Sequence, residues 1–327
     1  MTLKVGLIGA GMMGRHHGRV LHELTGVELA GVADMSGDPF NVSQGVPVYK
    51  SVDELIDAGI DAAVVALPTK FHYETAMQLA DSGVHTLVEK PIAKNVVEAE
   101  EMTRAFKSKD LIGAVGHIER YNPSLQTLKQ KLHEGILGTV YQVVTRRQGP
   151  FPTRITDVGV IKDLATHDID LTAWLLDSSY DTIAANTAFR SGREYEDLVS
   201  AVGALDNGVL TNHLVNWLSP LKERVTVVTG EKGTLIANTL TSDLTYYENG
   251  TVEQDWDQIT AFRGVVEGDI VQYALKKQEP LKTEHEAFRD AILGKSNKIV
   301  TMEQGTQTLK AAEAMIKSAK ERTTIRV

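Results

Sequence analysis

The chain has 327 residues, 42% hydrophobic, 24% charged and 6% aromatic, with a net charge of −9 and no cysteine. At ~100–200 residues per domain this length suggests two domains, each able to bury a core without crosslinks. The missing cysteine excludes disulfides, thiolate nucleophiles, iron–sulfur clusters and cysteine-type zinc sites. The acidic balance argues against nucleic acid or an acidic membrane as partner, because both need clustered lysine and arginine. No stretch approaches the ~18 uninterrupted apolar residues of a spanning helix. The first residues run straight into a strand-and-turn pattern without a basic leader, so a cytoplasmic protein is expected.

Leu3–Ile8 is an aliphatic run followed by a glycine-punctuated turn and a helix to about Glu23. A second apolar run covers 27–33 and ends at Asp34, and others follow at 62–66, 84–88 and 111–115. Between them, stretches such as 72–82 and 96–107 space their apolar residues at helical intervals. Continuous apolar strands alternating with helices predict an α/β Rossmann domain, a doubly wound parallel sheet covered on both faces. The pattern changes near 116–123, where Asn122 and Pro123 read as a helix cap and first helical residue. The chain is therefore expected to divide into 1–122, binding a dinucleotide, and 123–327, binding substrate. Strand-like runs dominate the second part, at 141–147, 182–189, 199–205, 209–217, 224–228 and 234–237. Hairpin signals stand at Asp206-Asn207-Gly208 and Glu248-Asn249-Gly250. With amphipathic helices at 162–176, 284–293 and 302–320, this predicts an α+β domain with a mostly antiparallel sheet. The last helix is able to return to the first domain.

Gly9-Ala10-Gly11-Met12-Met13-Gly14 fits G-x-G-x-x-G between a strand and a helix. The first glycine permits the tight turn, the second lets backbone approach a pyrophosphate, and the third packs helix on strand. Asp34 lies 20 residues after Gly14, where an acidic side chain takes ribose hydroxyls and disfavours a 2′-phosphate. NAD is therefore expected over NADP. Loops at the carboxyl ends of parallel strands are where ligands bind. This adds Pro68, Thr69 and His72 after the third strand, and Glu89 and Lys90 after the fourth. Capping and surface polarity are the plain alternatives for Thr69 and His72, and a surface lysine for Lys90.

Within 162–170, Asp163 and His167 are i,i+4 neighbours in a helix and Asp170 follows three residues on, so the three share one stripe. A carboxylate beside an imidazole fixes its tautomer and raises its basicity, which suits a general base. The alternative is a solvated face carrying an Asp–His pair. A single histidine at this spacing is a poor ligand set, and no metal is expected.

Taken jointly, Gly9-x-Gly11-x-x-Gly14-x-x-His17, Glu89-Lys90-Pro91 and Asp163-x-Ala165-x-His167-x-x-Asp170 resemble the glucose-fructose oxidoreductase/inositol dehydrogenase/rhizopine catabolism (Gfo/Idh/MocA) family. The resemblance covers nearly the whole chain. It implies an open-faced antiparallel sheet in the second domain that packs between subunits of a homodimer or homotetramer. It also implies that Lys90 meets substrate and nicotinamide, that the Lys90–Pro91 bond is cis, and that His167 acts as acid/base oriented by Asp163. Ala165 departs from the family's usual glycine.

Gly116-His117-Ile118-Glu119-Arg120-Tyr121-Asn122-Pro123 and the arginines Arg146, Arg147 and Arg154 around Gly149-Pro150-Phe151-Pro152 resemble the nucleotide-sugar branch. That implies hydride transfer from C3 of a UDP-N-acetylhexosamine, giving a 3-keto sugar. A myo-inositol or free-aldose dehydrogenase and a non-catalytic NAD sensor are the alternatives. The expected substrate contacts are Lys90, Glu119, Arg120, Tyr121, Asn122, Arg146, Arg154 and His167. Independently, Arg120, Arg146, Arg147 and Arg154 can offer forked donors to a diphosphate, or else form salt bridges on an acidic protein.

Overall fold

A computed structural model describes residues 2–152, 158–250 and 266–327. Arg154 therefore lies outside the described residues. The chain divides into two compact units, Met1–Ile118 with Glu279–Lys310 and Glu119–Gln278 with Ala311–Val327. Residues 119–122 thus count with the second unit, and a segment far along the chain counts with the first.

The first unit opens with β1 (Leu3–Ile8), α1 (Gly14–Glu23), β2 (Val27–Ala33), β3 (Val48–Tyr49) and α2 (Val52–Asp57). It continues with β4 (Ala62–Val65), α3 (His72–Asp81), β5 (His85–Glu89), α4 (Val96–Ser108) and β6 (Gly113–Gly116). The six strands form one sheet in the order β3-β2-β1-β4-β5-β6, and every pairing is parallel. Strands such as Ala62–Val65 are buried at every position, as a sheet covered on both faces requires. Side-chain caps start two helices: Ser51 accepts the Glu54 N–H, and Asn95 accepts the Glu98 N–H at 3.0 Å. The run expected at 111–115 forms its strand at Gly113–Gly116 instead, and the two-residue β3 has no counterpart among the expected strands.

The second unit begins with α5 (Pro123–His133), β7 (Val140–Pro150) and α6 (Thr166–Leu175). β8 (Tyr180–Ala188), β9 (Leu198–Leu205), β10 (Leu210–Asn216) and β11 (Leu218–Gly230) follow. β12 (Gly233–Asn238), β13 (Asp243–Gly250) and β14 (Val266–Gln272) complete the run. These strands and the terminal β15 (Ile325–Arg326) form a nine-stranded sheet, antiparallel at every junction except β7–β10. Asn122 caps α5, its Oδ1 accepting the Ser124 N–H at 3.0 Å. Asp206-Asn207-Gly208 makes the β9–β10 hairpin, with Gly208 at φ +84°. Glu248-Asn249-Gly250 is not a turn of its own: it ends β13, and Asn249 pairs with Glu267.

Two helices follow, α7 (Pro280–Ile292) in the first unit and α8 (Met302–Glu321), whose residues change unit at Ala311. Just before α8, Thr301 bridges Ala114 and the Val115 N–H donates to Val300, so the returning segment covers the β6 edge. Phe288 of α7 joins Leu3, Val5 and Leu21 in the first unit's core.

Candidate active site

The glycines of the first turn separate into two kinds. A Cβ on Gly9, whose φ is +101°, would stand 2.6 Å from the Ala66 carbonyl oxygen, and one on Gly14 would stand 1.9 Å from that of Gly9. Neither position admits a side chain. A Cβ on Gly11 would meet nothing within 4 Å, so its bareness answers no demand of the fold and leaves room for a ligand. Beyond it α1 starts with no side-chain cap and no acidic residue in its first turn, so no carboxylate there opposes an anion at the positive end of the helix. Asp34 ends β2 with Oδ2 accepting the Ala10 N–H at 2.8 Å and Oδ1 accepting the Ser36 N–H at 2.7 Å. Met12 is exposed and Met13 half-buried beside it. The geometry fits a dinucleotide with its pyrophosphate over Gly11. Gly11→Ala should leave the melting temperature unchanged yet weaken NAD binding by about tenfold or more, whereas Gly14→Ala should destabilise the fold itself. Calorimetric titration beside thermal melts separates the two outcomes, and normal NAD affinity in Gly11→Ala would remove the turn from the binding site.

The loops after β4 and β5 hold further expected residues. Pro68 is exposed and Thr69 begins a short 3-10 turn. His72 departs from its expected role as a cofactor contact. It is buried, with Nε2 2.8 Å from the Leu67 carbonyl and Nδ1 2.9 Å from that of Pro91. Both nitrogens face backbone carbonyls, so the ring lies between the two loops instead of facing a ligand. Glu89 closes β5, and the Lys90–Pro91 peptide bond after it is cis.

Glu89 is enclosed by a cluster that sequence reading did not assemble. His17 Nε2 lies 2.9 Å from Glu89 Oε1, and His17 Nδ1 lies 2.9 Å from His285 Nε2 of α7. Burial works against a charge on Glu89, but His17 and the Lys90 ammonium outweigh it and hold the carboxyl below its usual range. Glu284, next to His285, is pushed well above that range by burial and by the charge of Glu89. The only signal for this cluster was His17 itself, a histidine on the packed side of α1.

In the second unit the expected helix at 162–176 is two structures. Ile161–Ala165 is a π turn and Thr166–Leu175 an α-helix. Asp163 lies in the π turn, and His167 and Asp170 in the α-helix that follows it. The face is not solvated: Asp163 is buried, as is every residue from Thr166 to Thr172. Charges at such positions need partners. Asp170 receives Arg120 through Nε at 2.7 Å and Nη2 at 2.6 Å. Asp168 receives Arg147 Nε at 3.0 Å on both oxygens, while Arg147 Nη1 reaches Glu119 Oε1 at 2.8 Å. Burial presses Asp168 upward, yet two oxygens equally close to one guanidinium N–H are those of an ionised carboxylate, and we read the pair as charged. Arg224, 3.9 Å from Glu119, completes the group. His167 thus stands on a helix fixed from two sides.

For Arg120 and Arg147 the second of the two expected alternatives holds, salt bridges in place of a diphosphate. Arg120 and Arg147 are 6% and 2% exposed, their guanidinium groups committed to carboxylates. Side chains alternate along β7, so Arg146 points to the opposite face from Arg147, where it pairs with Glu223. Asn122 caps α5 and donates through Nδ2 to the Thr239 carbonyl at 3.0 Å. Glu119 anchors Arg147, and Tyr121 is buried beside it in sequence.

Comparison with known proteins agrees with this fold. Residues 3–117 match the family described as "Oxidoreductase family, NAD-binding Rossmann fold", and residues 125–236 match the "GFO/IDH/MocA C-terminal domain". The chain is 31% identical over 214 residues to UDP-N-acetylglucosamine 3-dehydrogenase of Acidithiobacillus ferrooxidans, covering 64% of this chain and 66% of that one. It is 32% identical over 228 residues to inositol 2-dehydrogenase 2 of Saccharopolyspora erythraea, covering 65% and 66%. The matched stretch thus spans just under two thirds of either relative. A solved structure of UDP-N-acetylglucosamine 3-dehydrogenase GnnA from Acidithiobacillus ferrooxidans superposes with a TM-score of 0.83 at 25% identity, over 98% of this chain and 99% of that one. No helix among the described residues is long and apolar enough to cross a membrane.

Proposed function

Because the chain belongs to the Gfo/Idh/MocA oxidoreductase family, we propose that it is an NAD-dependent dehydrogenase acting on a secondary hydroxyl of a sugar, with C3 of a UDP-N-acetylhexosamine as the position oxidised. The observation that carries the reaction class is the open glycine turn beside Asp34 in the first unit; the second unit, taken by itself, offers a buried His167. Bound NAD supplies the hydride acceptor. Gly9, Gly11, Met12, Met13, Gly14 and Asp34 hold it, with Pro68, Thr69, Glu89 and Lys90 at the neighbouring loops. His167 takes the proton of the hydroxyl, with Asp163 setting its tautomer. Lys90 donates a hydrogen bond to that oxygen as negative charge develops on it.

The nucleotide-sugar reading rests on the likeness to GnnA over almost the full chain. A cyclitol reading is favoured by the inositol 2-dehydrogenase relative at similar identity and length, and the commitment of Arg120 and Arg147 to ion pairs removes one argument for a diphosphate. Incubation with NAD and a panel of UDP-sugars, aldoses and cyclitols, followed through NADH absorbance, decides between them. A 3-keto product from UDP-N-acetylglucosamine supports the first reading. Faster reduction with myo-inositol replaces it by the second, and no reduction with any of them, despite NAD binding, indicates an NAD sensor. The NAD requirement is consistent with a cytoplasmic site of action.

The nine-stranded sheet also presents an apolar outer face. Val202, Leu210, Tyr247 and Ile270 are exposed, and the strand register places all four on the side of Arg146. Exposed apolar side chains on both flanks of one sheet face suit an interface, and a second copy of the chain is its proposed occupant. Light scattering should give a multiple of the 35.7 kDa chain mass, and Val202→Glu should lower it; a monomeric wild-type protein would refute the interface.

A further inference from the structure

The cluster around Glu89 has no part in the proton transfer assigned to His167, yet it is built with care at the end of β5. In the sheet order, the glycine turn follows the central β1 and Asp34 ends β2 on one side of it, while β4 and β5 lie on the other. A dinucleotide whose adenosine ribose meets Asp34 therefore carries its nicotinamide on the β4–β5 side. Two formal charges stand at the end of β5, the Lys90 ammonium and the Glu89 carboxylate. The nicotinamide ring is cationic in NAD and neutral in NADH, so the net charge fixed there discriminates between the two forms.

Burial alone would neutralise Glu89. Instead both its oxygens are engaged, Oε2 accepting the Lys90 backbone N–H at 3.1 Å and Oε1 facing His17 Nε2 at 2.9 Å. With His17 neutral, one arrangement of hydrogens satisfies the whole chain: His285 Nε2–H donates to His17 Nδ1, and His17 Nε2–H donates to Glu89. Burial keeps His285 well below its usual range, which suits a neutral donor at the far end. Glu284, buried and with no hydrogen-bond partner for its carboxyl among the described residues, is pushed toward its neutral form by burial and by the charge of Glu89. The negative charge of the cluster thereby centres on Glu89.

We infer that Glu89 is a positioning residue of charge: its carboxylate, held ionised by the His285–His17 donor chain, offsets the Lys90 ammonium and biases the site toward the oxidised dinucleotide. The inference rests on the dinucleotide role proposed for the first unit. Its test is a pair of dissociation constants, for NAD and for NADH, measured by titration calorimetry on the full chain. Glu89→Gln should weaken NAD about tenfold more than NADH, the factor that ~1.4 kcal/mol of lost attraction gives. His17→Gln, which keeps an N–H donor, should hold the wild-type ratio within about twofold, while His17→Leu should shift it in the direction of Glu89→Gln. Equal weakening of both forms by Glu89→Gln would overturn the inference and leave Glu89 a loop anchor. If Glu89→Gln does not fold, equal ratios in His17→Gln and His17→Leu overturn it as well. A wild-type protein that binds neither form overturns the functional reading first, and this inference with it.

Discussion

His167→Ala is expected to lower turnover by about 10²–10⁴-fold while leaving NAD affinity close to that of the wild type. The ring is buried on α6, and the two carboxylates that follow it, Asp168 and Asp170, are each locked to an arginine, so the helix keeps its place when the imidazole is removed. Stopped-flow kinetics under saturating NAD and substrate, with a titration for NAD itself, separate the chemical step from binding. A comparable loss of NAD affinity would mean that the variant acts through the fold. Unchanged turnover would take the general-base role away from His167 altogether.

The second large effect concerns stability. Arg147→Ala removes the partner of a buried carboxylate, Asp168, at 3.0 Å and of a half-buried one, Glu119, at 2.8 Å. Breaking a buried pair from one side costs about 3–5 kcal/mol, because the remaining charge stays desolvated. At ~2–4 °C per kcal/mol for a unit of this size, the melting temperature should fall by roughly 6–20 °C. Arg147→Met combined with Asp168→Leu should recover much of that loss, since an apolar pair of similar volume leaves only Glu119, which retains Arg224. Were Arg147 instead a diphosphate ligand, its loss would raise KM for a UDP-sugar and leave the melt alone.

The first unit was legible because its signals are local. Leu3–Ile8 and Val27–Ala33 occupy the bounds their apolar runs define, and the glycine turn carries its own chemistry. The two-residue β3 is too short for any period to register. At α6 the difficulty was of another kind. A buried helix rich in Asp and His has the same letters as a solvated one, and only the positions of Arg120 and Arg147 distinguish them. The opposed facing of Arg146 and Arg147 was already implicit in strand alternation. Grouping them by charge hides this, because charge does not say which way a side chain points. His285 had no local signal at all, since its partner His17 is 268 residues away.

That separation has a consequence for how such a protein can be divided or recombined. Each unit is discontinuous in the chain, and the two interleave: first, second, first, second. A fragment ending at 118 or 122 would lack Phe288 from its core, His285 from His17, and the backbone of 300–301 from the margin of β6. The complementary fragment, cut after 278, would lose Ala311, Ala312 and Met315 from the other core. Neither unit can be lifted out by a single cut, and exchanging a substrate-binding half between relatives requires three crossovers, the last of them inside one helix at Lys310–Ala311.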